Sequence, residues 1–258
     1  MKDLSIRVTS GIIGLSLLIA VLYTGGPVMA ASIFAVSVIG LREFYRAMKS
    51  LNRKPDMIIG AIAALFISVD FLMKFSSTSL IFVAIVITLL SKTVLSEQFD
   101  IFDAAVTLIG IIYIPFLLGH TLLLDSTPYL WLIFLIAFGT DTFAYLIGSK
   151  FGKHKLSPKI SPKKSVEGSF GGIVGSIVAT LIYANLVNIE PALSLVTIAL
   201  IGSIVSQLGD LSASKIKRLA GLKDFGRLMP GHGGMLDRFD SVLFTAPVVY
   251  YFVQIFLK

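Results

Sequence analysis

The 258-residue sequence contains no cysteine, so no disulfide framework holds the fold. Charge is also scarce. Charged residues make up 14% of the chain, against roughly 25% in a soluble globule, and a water-facing domain would be short of polar surface. Disorder is excluded as well, because it requires low hydrophobicity and a high charge density. Neither an internal repeat nor a low-complexity linker interrupts the chain. What is abundant is apolar: 55% of residues are hydrophobic and the mean hydropathy is +0.89. At about 20 residues per crossing, the length holds at most about ten spans. The composition predicts a polytopic membrane protein.

Apolar runs of spanning length occur at about 6–23, 28–48, 57–73, 78–95 and 104–124, then at 129–148, 168–187, 192–208 and 241–257. The first run ends at Gly25-Gly26-Pro27 and another begins at once, so it reads as half of a helical hairpin and not as a removable signal peptide. The net charge of +7 would suggest nucleic acid in a soluble chain. Its placement argues otherwise. With the N-terminus in the cytoplasm, nine spans put all Lys and Arg except Lys74 and Lys258 on the inner side. An even or shifted span count destroys that asymmetry. The expected architecture is therefore an all-α bundle of about nine transmembrane helices, N-terminus cytoplasmic and C-terminus outside. It forms one membrane domain over 1–258, with no nucleic-acid partner. Residues 1–125 read mainly as scaffold, and 129–258 as a catalytic half carrying two cytoplasmic loops, 150–167 and 209–240.

The second loop holds the strongest constellation. It runs from Gly209-Asp210 through Ser214, Lys217-Arg218 and Lys223-Asp224 to Gly231-His232-Gly233-Gly234, Asp237-Arg238 and Asp240. Asp210 directly follows an apolar helix, where an unpartnered acid is costly. Asp237 and Asp240 are three apart and share a face if a helix begins there. Carboxylates so placed suit a hard divalent cation held jointly with phosphate oxygens. The glycines allow backbone to approach a ligand, and their N–H groups can cradle phosphate. Lys217, Arg218, Lys223 and Arg238 supply the opposing charge. Singly each element has a plain explanation: a topology signal for Lys217-Arg218, a loop for the glycines, a solvated pair for Asp224. Together and in order, they match the needs of phosphoryl transfer, which are a metal clamp, a cationic clamp and little covalent work.

A second cluster precedes it. Asp141 and Tyr145 are four apart within the sixth span, and the loop that follows contains Lys150, Lys153, Lys155, Lys159, Lys163 and Lys164 with Ser165 and Glu167. Pro158 and Pro162 keep this loop from being helical. Lysines interleaved with Ser, Pro and Gly suggest a shaped anion-binding loop.

The run Ser214-x-Ile-Lys217-Arg218-x4-Lys223-Asp224-x-Gly226 through His232-Gly233-Gly234-x-x-Asp237-Arg238-x-Asp240 resembles the diagnostic motif of CDP-diacylglycerol synthases, also called phosphatidate cytidylyltransferases. The upstream Asp141-Thr-x-Ala-Tyr and Ser-Pro-Lys…Glu-Gly elements resemble the same family in the same order. Met229 and Ser165 stand where Leu or Ile and Thr are usual. The resemblance implies phospholipid biosynthesis by condensation of CTP and phosphatidate to CDP-diacylglycerol and pyrophosphate. It further implies Mg2+, allows a monovalent cation such as K+, and points to a homodimer in the bacterial plasma membrane with its active site on the cytoplasmic side. By carry-over, Asp210, Asp237, Lys223 and Arg238 are catalytic, and Asp210, Asp237 and Asp240 hold the metal. Asp141, Lys164, Ser165, Glu167, Ser214, Lys217, Arg218, Asp224, His232, Gly233 and Gly234 would bind substrate. Two other readings stay open: a CTP-dependent polyprenol kinase resembling dolichol kinases, which would release CDP, and an ion-coupled transporter using Asp141.

Overall fold

The computed structural model describes residues 2–229, 231 and 233–257, with side chains from residue 8 onward. Among the described residues, nine long helices account for the nine apolar runs. They are α1 (Lys2–Thr24), α2 (Gly26–Lys49), α3 (Met57–Met73), α4 (Thr78–Leu95) and α5 (Ile101–Leu123), followed by α6 (Tyr129–Phe151), α7 (Val166–Val187), α8 (Ala192–Leu219) and α9 (Leu236–Phe256). Seven of these are long and apolar enough to cross a bilayer; α3 and the apolar part of α1, Val8–Thr24, are shorter. Large apolar side chains lie on the outside, among them Ile12, Leu80, Val94 and Leu186. Only 11% of the apolar window of α4 is buried within the protein. Such surface is untenable in water and ordinary against acyl chains. The chain is a polytopic helical membrane protein.

The chain divides into two compact units. One comprises Met1–Asp125 with Ile216–Phe239, the other Ser126–Lys215 with Asp240–Lys258.

In the first unit the helix ends are fixed by side chains. Asp125 Oδ2 accepts the Gly26 N–H at 2.7 Å and so caps α2. Asp56 accepts the N–H groups of Ile58 and Ile59 at the start of α3, and Asp100 and Asp103 form a capping box at the start of α5. Pro115 lacks the N–H that an α-helix needs, and α5 passes through a π-helical segment, Ile112–Phe116, around it. The buried face of α2, including Met29, Ile33, Leu41 and Phe44, forms much of this core. Tyr45 of that face donates to the carbonyl of Thr107 at 2.8 Å.

The second unit is organised by the antiparallel pair α6 and α7. Gly168, Gly171, Gly172 and Gly175 line one face of α7 at helical spacing. A Cβ on Gly171 would fall 2.5 Å from Ile147 Cβ, and one on Gly172 would fall 2.8 Å from the Thr140 carbonyl. Small residues let the backbones meet, which is how helices associate where lipid removes the hydrophobic drive. Thr140 donates to Ser203 of α8 at 2.8 Å, and Ser169 donates to Gln207 at 2.5 Å.

Two boundaries differ from expectation. The loop expected over 209–240 begins with further turns of α8, so Asp210, Ser214, Lys217 and Arg218 are helical. The apolar pattern stops at Leu208 because the helix leaves its apolar surroundings there, not because it ends. The stop is Gly221 (φ 69°): Leu222 N–H bonds the Lys217 carbonyl at 2.8 Å and Gly221 N–H that of Arg218 at 3.2 Å, a Schellman closure. The loop expected over 150–167 is helical at both ends and otherwise a small hairpin, in which β1 (Lys155–Ser157) pairs with β2 (Ser161–Ser165).

Candidate active site

Two groups of the expected residues are assembled, one in each unit. In the second unit the Lys164 ammonium ion-pairs with the Asp210 carboxylate, whose side chain stays 21% exposed. Ser214, one turn further along α8, faces the same carboxylate at 3.5 Å. Lys164 reaches this position because β2 runs directly into α7. Ser165 ends the strand, is buried, and caps α7 by accepting the Gly168 N–H at 3.1 Å. Glu167 folds back over the loop, accepting Lys153 N–H at 3.1 Å, His154 N–H at 3.2 Å and a His154 Nδ1 contact at 2.6 Å. Gly209 fits closely against α9, where a Cβ would lie 2.6 Å from the Asp240 carbonyl oxygen. Asp240 itself is buried and accepts the Ser241 N–H at 2.9 Å. Asp141 lies half-buried on α6, while Tyr145 is exposed.

The first unit holds Asp237, one residue into α9. Its Oδ1 accepts from Lys217 Nζ at 2.7 Å, and its Oδ2 accepts the N–H groups of Phe225 at 2.8 Å and Gly234 at 2.9 Å. Lys217 also lies 5.4 Å from the centre of the Phe225 ring. The carboxylate thus draws three segments of the motif together: the last turn of α8, the loop after it and the first turn of α9. Met229 and Gly233 exchange N–H···O bonds at 2.9 and 3.2 Å, and Gly233 (φ 91°) brings its backbone to within close reach of Asp237. Arg218, Lys223, Asp224 and Arg238 are exposed. Arg218 donates to the Leu222 carbonyl at 3.2 Å. Of the expected site residues, His232 lies outside the described residues.

The whole chain, not the motif alone, has relatives. A model of the cytidylyltransferase family matches residues 5–256. The chain belongs to the cytidylyltransferase family. The phosphatidate cytidylyltransferase of Staphylococcus haemolyticus is 36% identical over 258 residues, covering 95% of this chain and 97% of that protein. Those of Staphylococcus epidermidis and Staphylococcus aureus are 37% and 35% identical with the same coverage.

Cytidylyl transfer needs positive charge around a triphosphate, and the carboxylates here are suited to hold it. Among the described residues, no three His, Cys, Asp or Glu side chains gather into an all-protein metal cage. Mg2+ asks for less, one or two carboxylates with phosphate oxygens and waters completing the shell. A carboxylate offers about four acceptor positions. Asp237 uses three, with one lysine contact on Oδ1, and Asp210 uses an ion pair and one long hydroxyl contact. Each acid holds an ammonium in the structure and keeps acceptor capacity to spare, a donor set that suits a divalent cation completed by phosphate oxygens and water.

One residue of this region escaped the reading of the sequence. Glu43 of α2 is 8% exposed and accepts the N–H groups of Met235 at 3.0 Å and Leu236 at 2.8 Å. Its only local signal is an acid near the end of an apolar helix, and its neighbours Arg42 and Arg46 disguise it as a membrane-edge charge.

Proposed function

We propose that this cytidylyltransferase condenses CTP with phosphatidate to form CDP-diacylglycerol and pyrophosphate, at the cytoplasmic side of a bacterial plasma membrane crossed nine times. The observation that carries this reading is near-full-length similarity to phosphatidate cytidylyltransferases in a chain whose motif carboxylates, Asp210 and Asp237, each hold a lysine.

A phosphate oxygen of phosphatidate attacks the α-phosphorus of CTP. The new P–O bond forms as the bond from the α-phosphorus to the bridging oxygen breaks, and pyrophosphate leaves with that electron pair. The nucleophile is already anionic at neutral pH, so no general base is required. Asp210, Asp237 and Asp240 are the residues that would hold Mg2+, which when bound would supply positive charge to the α-phosphate and the leaving group. Lys164 and Lys217, which pair with Asp210 and Asp237 in the structure, would add positive charge beside the phosphate oxygens. Lys223, Arg218 and Arg238, exposed around the motif loop, clamp the triphosphate and the lipid phosphate. His232 donates to a phosphate oxygen, while Gly233 and Gly234, whose N–H groups go to the Met229 carbonyl and to Asp237, let the loop backbone approach the phosphates. The diacyl chains stay in lipid, so only polar groups need meet at the membrane edge. Asp141, Ser165, Glu167, Ser214 and Asp224 complete the substrate-binding set. A monovalent cation such as K+ and a homodimeric state complete the proposal, tested by the ion dependence of turnover and by the mass of the detergent-purified particle.

The deciding experiment supplies purified protein with labelled CTP, phosphatidate and Mg2+. Equal yields of labelled lipid and pyrophosphate are expected, whereas CDP as the product would mean a kinase and refute the proposal. Asp237→Asn should cost more than the ~10²–10³ in turnover typical of one lost electrostatic donor, and Asp240→Asn less. A folded Asp237→Asn protein with near wild-type turnover would remove Asp237 from the metal site.

A further inference from the structure

Glu43 and the motif loop present an unusual geometry for residues so far apart in sequence. The Glu43 carboxylate places one oxygen on the Met235 N–H and the other on the Leu236 N–H, the two donors that open α9. Those N–H groups belong to the set that a helix cannot satisfy by itself, and an anion there also complements the helix dipole. Two glycines of the motif make room for this carboxylate. A Cβ on Gly226 would lie 2.8 Å from Glu43 Cδ, and one on Gly234 would lie 2.6 Å from Glu43 Oε2, with the nearer oxygen closer still in both cases. Gly226 itself has no left-handed backbone torsion, and Gly234 has none either. Close approach, not conformational freedom, is therefore what requires glycine at both positions.

We infer that Glu43 is the positioning residue of the motif loop. It fixes the first turn of α9 and with it the direction of Asp237. The next residue but one after Met235 is Asp237, whose Oδ2 is tied in turn to Gly234 N–H and Phe225 N–H. The two carboxylates brace the same short segment: Glu43 holds Met235 and Leu236 from α2, and Asp237 holds Gly234 and Phe225 from within. If Glu43 is lost, one buried and one part-buried donor lose their acceptor, the turn re-forms around other partners, and Asp237 shifts. A helix of the half read as scaffold thus serves the reaction without touching substrate. The catalytic part of this inference rests on the proposed role of Asp237; the structural part does not.

The test is built to separate the two. Glu43→Gln keeps size and one acceptor but turns an N–H2 group toward a backbone N–H. In full-length detergent-solubilised protein, amide exchange of a peptide covering residues 234–240 should accelerate about tenfold or more. Turnover should fall about 10- to 100-fold, the scale of a misplacement near 1 Å, with KM for CTP changed less than about twofold. A second arm does not depend on Glu43→Gln folding. Gly234→Ala should abolish turnover by colliding with the carboxylate, and Glu43→Asp in the same chain, one methylene shorter, should recover part of it. Exchange that rises in Glu43→Gln while Asp237→Asn retains activity supports the brace and refutes the assignment of Asp237. Wild-type exchange or wild-type turnover in Glu43→Gln overturns the inference, as does a Gly234→Ala defect that Glu43→Asp leaves untouched.

Discussion

The Lys217–Asp237 pair makes a quantitative test of how the motif is held. Their side chains are 11% and 2% exposed, so both charges are largely out of water. Breaking a buried pair by deleting one partner typically costs about 3–5 kcal/mol, because the other charge is left uncompensated. For Lys217→Ala the expectation is the lower end, about 3 kcal/mol, since Asp237 keeps the N–H groups of Phe225 and Gly234. Asp237→Asn is worse placed: its amide oxygen can serve both N–H groups, but its N–H2 group then faces the Lys217 ammonium. The double variant Lys217→Met/Asp237→Asn removes both charges at nearly constant volume. It should recover most of the loss, because replacing a buried pair by neutral groups is often close to neutral. At about 2–4 °C per kcal/mol for a chain of this size, Lys217→Ala should melt about 6–12 °C below the parent. Detergent-solubilised protein is heated and the surviving monodisperse fraction is measured by gel filtration, with the single tryptophan, Trp131, as fluorescence signal. All variants should be inactive, so stability alone carries the result. A double variant whose loss equals the sum of the single losses would show no coupling and refute the buried pair.

Lys164→Ala and Ser165→Ala should both lower turnover while leaving the protein folded, Ser165→Ala also losing about 1 kcal/mol with its helix cap; wild-type kinetics in both would reduce the lysine loop to a topology signal. A reporter fused after Lys258 should be extracytoplasmic and one inserted within 150–164 cytoplasmic, and the same side for both would end the nine-span reading. Asp56 is raised by burial, yet the Lys92 hydrogen bond and the N–H groups of Ile59 and Ile58 bring it below its ordinary value of 3.8. Its stabilising contribution is therefore complete above that value and lost as pH falls through the folded one. Asp56→Asn should accordingly lower the melting temperature at pH 7, with the deficit shrinking as pH falls progressively below 3.8, and a deficit that does not change with pH would contradict the assignment.

Low charge and long apolar runs determined a helical membrane protein, because a bilayer leaves few ways to satisfy backbone polar groups. The runs located nine helices, since apolarity along the chain is a local property. The ordered acids, bases and glycines from Asp141 to Asp240 pointed to the family for the same reason: the chemistry is written in residue types at short spacing. What the sequence did not determine was continuity and partnership. The extension of α8 to Leu219 was hidden because helix propensity persists where hydrophobicity ends, and the hairpin of Lys155–Ser165 because a lysine-rich, proline-broken stretch carries no strand period. That Lys164 meets Asp210, and Lys217 meets Asp237, is decided by packing across separate elements. Glu43 is the clearest case. It lies 193 residues before Leu236, whose N–H it accepts, and a contact at that separation leaves no periodicity or spacing to read. Only when the chain folds does the space beside Gly226 and Gly234 acquire an occupant, and only then do the two glycines have a reason.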